Sequence, residues 1–532
     1  MSGQMTCGEA AIRLLAGHGV STVFGIPGVH TLDFYRGLPN SGIRHVTPRH
    51  EQGAGFMADG YARISGKPGV CLLITGPGVT NAATPVAQAY SDSSPVLVLS
   101  SVVSRADMGM GRGRLHDLTS QRATTQPYTK WSHTVMTPAE LPAVMARAFA
   151  VMGSGRPRPV HVEVPLDVLA SEIDLRQLPS VAMPAAAPDG QAVEQAAALL
   201  SSARQPLLIV GGGAVGALAA LRKLAERIAA PVITTIAGKG VLPDSHPLCL
   251  GTVLSTDEGK QQVAAADVVV AIGTELSETD LWSGSLSFRK LIRVDIEPET
   301  LIRDHAPEVA ILGDARLVAE ALVDALGGRP LDGAYAAARV RGVRKAIEQV
   351  WQSKRARHLA VLRTIRQALP ANAAIAADMT QIGYSANEIF PVEQPRSYFH
   401  PVGYGTLGFA LPAAIGAKLG APERPVACLI GDGGLLFTVQ ELMTAVEESL
   451  PIPIILWHND GYGQIRDGMV RRGIPEIGVN LKTPDYLGLG RAFGCHVARP
   501  ESHEELGASI KGALEADGPT LIEVRQDAPY LA

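Results

Sequence analysis

Short apolar runs that stop at glycine constrain this chain more than any other feature. Residues 20–28, 70–78, 207–213, 268–273 and 426–433 each hold a strand-length apolar stretch and end in a glycine turn. Between them lie Ala- and Leu-rich stretches of helical character, such as 217–229 and 138–152. A strand with no polar alternation must be covered on both faces, and alternating strands and helices cover one another as βαβ units. The expected fold class is therefore α/β, with parallel sheets flanked by helices. Ligands in such sheets sit at the C-terminal ends of the strands, where these glycines stand.

With 532 residues, three or four domains of about 150 residues are expected. Two stretches break the alternating pattern. Residues 180–190 (SVAMPAAAPDG) read as a Pro/Ala-rich linker, and 327–356 open with GGRPLDGAY before turning into a basic, charged helix. The cuts give three segments, 1–180, 190–330 and 345–532, each expected to be one sheet flanked by helices. A hydrophobic share of 46% against 18% charged residues is that of an ordered chain. A formal net charge of -4 argues against a nucleic-acid or anionic-membrane partner. The cysteines at 7, 71, 249, 428 and 495 form no CxxC pair, so reduced, buried thiols are expected. MSGQMTCGEA lacks a basic start with an apolar core, and no 18-residue apolar run occurs, so a cytoplasmic location is expected.

The strongest chemical signal runs from 425 to 465, PVACLIGDGGLLFTVQELMTAVEESLPIPIILWHNDGYGQI. A buried strand delivers Gly431-Asp432-Gly433-Gly434, and a second strand ends in Asn459-Asp460-Gly461. The 25 residues between Gly433 and Asn459 suit one crossover between adjacent parallel strands. Such strands would place the Asp432 carboxylate, the Asn459 side-chain carbonyl and the Gly461 backbone carbonyl side by side. Hard oxygen ligands of this kind suit Mg²⁺ carrying phosphates, and the glycines let backbone N–H groups approach them. GDG alone would be an ordinary strand-end turn; the spacing and the NDGY ending take it further.

GDGG…HNDGYG resembles the thiamine diphosphate motif of the decarboxylase and acetolactate synthase superfamily. Most members carry two asparagines at its end, and here the first is His458. The resemblance implies pyrimidine-binding, middle and diphosphate-binding domains in that order. It also implies thiamine diphosphate and Mg²⁺ as cofactors. Asp432, Asn459 and Gly461 would hold the metal, and Gly431, Gly433, Gly434 and Tyr462 would lie at the diphosphate. The run RHEQGAGFMADGYARISGKPGVCLLITGPGVTN (49–81) supports the same likeness. Glu51 opens a helix lined by Gly53, Ala54 and Gly55, where a poorly hydrated carboxylate of raised pKa is expected. In the superfamily the matching Glu contacts N1′ of the aminopyrimidine. Gly76 and Asn81 match the loop beside that ring. In HPVGYGTLGFALPAAIGAKLG (400–420), Leu407 matches the residue that bends the cofactor, and the Gly405 carbonyl matches the acceptor for its 4′-amino group. Thr380 and Gln381, at the end of an earlier strand, are expected at the diphosphate or thiazolium.

LLIVGGGAVG (207–216) fits the letter of GxGxxG, yet the next strand ends in threonines where a dinucleotide site wants an acid. No NAD site is expected, and FAD is not expected either. A nucleotide-binding oxidoreductase built on this loop is the rival from another class, which NADH titration would detect.

Thiamine diphosphate acts as an electron sink at a carbonyl carbon. A 2-oxo acid loses CO₂, and the product is either an aldehyde or the result of coupling to a second oxo acid. Acetolactate synthases, which couple, usually carry an arginine-bearing run in the middle domain; here it reads GTELSETDLW (273–282). Their usual tryptophan falls near Gly468, and their Phe-Gln pair reads Leu115-His116. Loss of the arginine and gain of His116 as a proton donor favour plain decarboxylation, with His30 as a second catalytic candidate. The alternative is an acetolactate synthase-type carboligase. Within the superfamily, GIPGVHTLDFYRGL and LHDL look like bacterial 2-ketoarginine decarboxylases. This implies 5-guanidino-2-oxopentanoate as substrate, 4-guanidinobutanal as product, and a place in arginine catabolism. Asp107, Asp117, Asp460 and Asp467 are the acids near the right loops for a guanidinium. In the family Glu51 and Asp432 come from different subunits, so a homodimer at least, and a homotetramer by expectation, is implied.

Overall fold

The computed structural model describes residues 5–175, 183–328 and 333–531. Its backbone forms three six-stranded sheets with parallel pairings, flanked by helices, the α/β class expected from the glycine-ended runs. The first segment contributes β1 (Met5–Thr6), β2 (Thr22–Gly25), β3 (Arg44–Val46), β4 (Gly69–Leu73), β5 (Val96–Val102), β6 (Trp131–Thr134), β7 (Val160–Pro165) and β8 (Glu172–Ile173). β1 and β8 make a small antiparallel pair, and the others order as β3-β2-β4-β5-β7-β6. β4, β5 and β7 are buried throughout, with in-register pairs such as Leu72↔Leu99 and Leu99↔Val162; β4 accordingly lacks polar alternation, while β7 alternates but buries its His161 and Glu163.

The middle segment contributes β9 (Pro206–Val210), β10 (Val232–Thr234), β11 (Cys249–Gly251), β12 (Val268–Ile272), β13 (Leu291–Asp295) and β14 (Val309–Leu312), ordered β11-β10-β9-β12-β13-β14. The third contributes β15 (Ala374–Ala377), β16 (Tyr398–Phe399), β17 (Val426–Gly431), β18 (Pro453–His458), β19 (His496–Ala498) and β20 (Thr520–Arg525), ordered β16-β15-β17-β18-β20-β19.

Compactness divides the chain differently from the three segments. One unit gathers 1–183, 403–499 and 512–524; the other gathers 184–402, 500–511 and 525–532. Inside the first unit, helix Glu51–Ser65 packs against helix Ala410–Gly420. A Cβ on Gly60 would run into the Ala413 carbonyl, and one on Gly416 into the Met57 carbonyl. The two backbones therefore touch, which only glycine allows. The expected linker at 180–190 lies partly outside the described residues, and so does the start of 327–356. All five cysteines are free and buried. Among the described residues, no helix is long and apolar enough to cross a membrane.

Candidate active site

β17 and β18 are hydrogen-bonded neighbours with Gly431 opposite Trp457, so the two strand ends emerge side by side. Asp432, 2% exposed, then sits at the centre of the junction. Its Oδ2 accepts from the N–H groups of Asn459 and Gly461, both at 3.1 Å, and its Oδ1 accepts from Gly433 N at 2.8 Å. Tyr486 donates its hydroxyl to the Asp432 carbonyl at 3.0 Å, fixing the backbone from below. Gly433 faces the ring of Tyr462, where an added Cβ would approach Cε1 to 2.8 Å. Asp432, Asn459, Gly461 and Tyr462 are thus brought together as expected.

His458 replaces the usual asparagine and is almost fully buried among acids. Its Nδ1 meets Glu523 at 2.6 Å, while its Nε2 meets Asp460 at 2.9 Å and Thr483 at 3.1 Å. Burial lowers its pKa, but Glu523, Asp432 and Asp460 outweigh burial and hold it above the ordinary histidine value. Arg499 closes the cluster on Glu523 through two nitrogens, at 2.8 and 2.5 Å.

At the other end of the unit, helix Glu51–Ser65 starts where the His50 ring accepts from Gln52 N at 3.0 Å, and it stops at the left-handed Gly66. Glu51 is half-exposed in the single chain, not sealed as the small neighbours suggested. Those neighbours serve packing instead: Gly53 abuts the Glu441 carboxylate and Gly55 abuts Pro85. The Glu51 carboxylate accepts from Asn81 Nδ2 at 2.9 Å, and a Cβ on Gly78 would stand 3.6 Å from its other oxygen. Glu51, Gly76, Gly78 and Asn81 therefore share one corner.

The loop carrying Gly405 and Leu407 is tied to the first segment. Gly403 N donates to Asp92 at 2.7 Å, and Thr406 donates to Gln88 Oε1 through both N and Oγ1. Gln88 and Arg63 both hold Asp92 at 2.7 Å, and Arg63 grips the fully buried Asp59 through two nitrogens. Thr438 donates to the Gly408 carbonyl at 2.9 Å, joining this loop to helix Asp432–Thr438. Leu407 itself is half-buried. Gln88, Asp92, Asp59 and Arg63 were missed in the sequence. The signal available was a helix, 51–65, small and apolar all round, in which an i,i+4 Asp–Arg pair cannot be a solvated surface pair.

His30 and His116 meet edge to face with ring centroids 5.0 Å apart. Burial, and then the neighbouring His116, lower the His30 pKa. The His116 backbone is left-handed, φ 63, and its carbonyl packs on Gly76. Gly76 N donates to Gln121 Oε1 at 2.7 Å. The Gln121 amide in turn donates to Ser100, to the Ser101 carbonyl and to Glu163, which is 1% exposed. Burial raises the Glu163 pKa and pushes that of His161 down to about 3, so this network holds a neutral imidazole beneath the Gly76 turn.

Three family models match in succession. They are the N-terminal TPP binding domain of thiamine pyrophosphate enzymes at residues 5–125, their central domain at 193–322 and their C-terminal TPP binding domain at 378–524. The chain belongs to the thiamine pyrophosphate enzyme family. It is 51% identical to a "Probable 2-ketoarginine decarboxylase AruI" of Pseudomonas aeruginosa, over 98% of this chain and 94% of that protein. It is 33% identical to a "Probable acetolactate synthase large subunit" of Methanocaldococcus jannaschii, over 97% and 91%. It is also 33% identical to the "Acetolactate synthase isozyme 1 large subunit" of Escherichia coli, over 99% and 94%.

The residues present fit the cofactor of a thiamine pyrophosphate enzyme. The Asp432 carboxylate is buried at the junction that also carries Asn459 and Gly461, and one carboxylate beside an amide and a backbone carbonyl is a donor set for a hard divalent cation. Thr380 and Gln381 belong to the second unit, where Thr380 is the N-cap and Gln381 the first residue of helix Gln381–Ile389. The glycines of 207–216 mostly serve packing: Cβ atoms on Gly211 and Gly213 would meet Gly273.

Proposed function

We propose that this enzyme is a non-oxidative 2-oxo acid decarboxylase that converts 5-guanidino-2-oxopentanoate to 4-guanidinobutanal and CO₂. The likeness to the Pseudomonas protein supports the substrate. The observation that favours release of an aldehyde over coupling is His116, which meets His30 beside the Gly76 turn and belongs to the Leu115-His116 pair that stands where coupling enzymes carry Phe-Gln. Thiamine diphosphate, when bound, supplies the electron sink that lets CO₂ leave.

Glu51 would face N1′ of the pyrimidine as its proton-exchanging acid, with Asn81 holding its carboxylate in place. Leu407 and the Gly405 carbonyl would line the cofactor, and the Gln88–Asp92 tether keeps their loop against the first segment. Asp432, Asn459 and Gly461 would hold Mg²⁺, and Gly431, Gly434 and Tyr462 would serve the diphosphate. His116 delivers the proton that completes the aldehyde, and His30 orients it. The working form is at least a homodimer, and a homotetramer by our reading, acting in the cytoplasm on arginine-derived substrate.

The test is a panel of 2-oxo acids (guanidino, branched, aromatic and pyruvate) assayed with added cofactor and Mg²⁺ for CO₂, aldehyde and coupled hydroxy-ketone. Aldehyde formation from the guanidino acid is expected; a coupled product would favour the carboligase. Glu51→Gln should bind cofactor by calorimetry yet lower kcat roughly 100-fold or more. Near-normal turnover in that variant would refute the role of Glu51.

A further inference from the structure

We propose that Asp117 is the carboxylate that receives the guanidinium group of the substrate; the proposal rests on the guanidino 2-oxo acid reading above. Four acids stand near the relevant loops, and the structure separates them. Asp107 is held by Arg112 at 3.2 Å and Arg114 at 3.0 Å. Asp460 is held by His458 and Thr483. Asp467, on helix Gly463–Arg471, has interactions of its own. Asp117 differs: its Oδ1 is shut off from water and accepts no hydrogen bond. A carboxylate oxygen in that condition is costly unless a donor arrives.

The surrounding stretch has guanidinium groups to spare, and none is directed at Asp117. Arg105 pairs with Asp167 at 2.7 Å, and Arg112 and Arg114 both pair with Asp107. Among the described residues, no cation of the chain pairs with this acid. Its position is also apt. Asp117 follows His116, whose ring meets His30 and whose carbonyl packs on Gly76. Gly76 begins the turn that brings Gly78 and Asn81 to Glu51. Nδ1 of His30 and Nδ1 of His116 are likewise buried without partners.

The left-handed backbone at His116 is a conformation that a residue with a side chain holds only under constraint. An acid next in the chain to one of two facing imidazoles suits a molecule that is cationic at one end and carries a 2-oxo acid at the other. Carboxylate and guanidinium match as a planar two-bond fork, which an ammonium point charge does not reproduce.

The experiment uses the full chain with thiamine diphosphate and Mg²⁺. The ratio of kcat/KM for 5-guanidino-2-oxopentanoate over uncharged 2-oxohexanoate is measured in wild type, Asp117→Asn, Asp117→Ser and Asp107→Asn. Calorimetry with butylguanidinium supplies a readout without turnover. The expected result is a fall of roughly 100-fold in the ratio for both Asp117 variants, carried mainly by KM for the guanidino acid. Butylguanidinium binding should be lost in parallel, and Asp107→Asn should keep the wild-type ratio. Proportional loss on both substrates, or retained butylguanidinium binding, overturns the proposal and leaves the substrate assignment standing. A wild type that shows no preference for the guanidino acid overturns the substrate assignment itself, and the proposal with it.

Discussion

Glu441 is a carboxylate fully sealed from water, and its situation sets a pH signature. Both of its oxygens accept from Arg49 N at 3.1 Å, and Thr444 donates at 2.7 Å, directly beneath the turn that leads into Glu51. Burial pushes its pKa up to about 7 in spite of these donors. A carboxyl that binds its proton more tightly when folded stabilises most below its unfolded value and loses that contribution as pH rises through the folded one. Its contribution is therefore complete below 4.5 and gone above about 7, a swing on the order of 3 kcal/mol. Urea-denaturation midpoints of wild type and Glu441→Gln, measured from pH 4.5 to 7.5, should diverge by that trend. Parallel curves would show that Glu441 does not titrate in this window.

Contact between helices Glu51–Ser65 and Ala410–Gly420 is set by glycine rather than by interlocking side chains. Gly416→Ala should gain helix propensity and still lose about 2 kcal/mol or more, because its Cβ meets the immobile Met57 carbonyl. Gly512→Ala, in helix His503–Glu515 with nothing near its Cβ, should be neutral or stabilising. Thermal melts of the two variants would check the contrast; equal effects would mean the helices can part freely. This packing also marks the limit of what the sequence reveals. The sheets were legible because apolar runs ending in glycine can hardly be anything but buried parallel strands. The meeting of Asp432 with Asn459 and Gly461 was legible because these residues lie one crossover apart. Glu441, Gln88 and Asp92 were not, because their partners Arg49, Thr406 and Gly403 are hundreds of positions away in the chain. In a linear reading each of them looks like a solvated helix residue.

At the scale of the whole molecule, several large apolar side chains are left exposed on the loops and short helices that carry the site residues, among them Val29, Leu115, Phe437, Ile465, Val470 and Ile477. Exposed apolar side chains of this kind suit a contact surface, and the proposed homodimer would cover them with a second copy of the chain. If Glu51 and Asp432 serve one cofactor from different subunits, two dead variants should rescue each other. Glu51→Gln and Asp432→Asn, each nearly inactive alone, should regain activity when co-expressed, because the mixed dimer holds one intact site. Gel filtration with light scattering would confirm that mixed dimers form. Failure of rescue in such dimers would place both ends of the cofactor on a single chain.

The left-handed turn at His116 has a practical corollary for anyone reshaping substrate scope by directed evolution. A codon-randomised library at this site would be filtered by backbone tolerance before chemistry, enriching Gly, Asn and Asp whatever molecule is offered. Survivors would report what the chain can bend into as much as what the reaction requires.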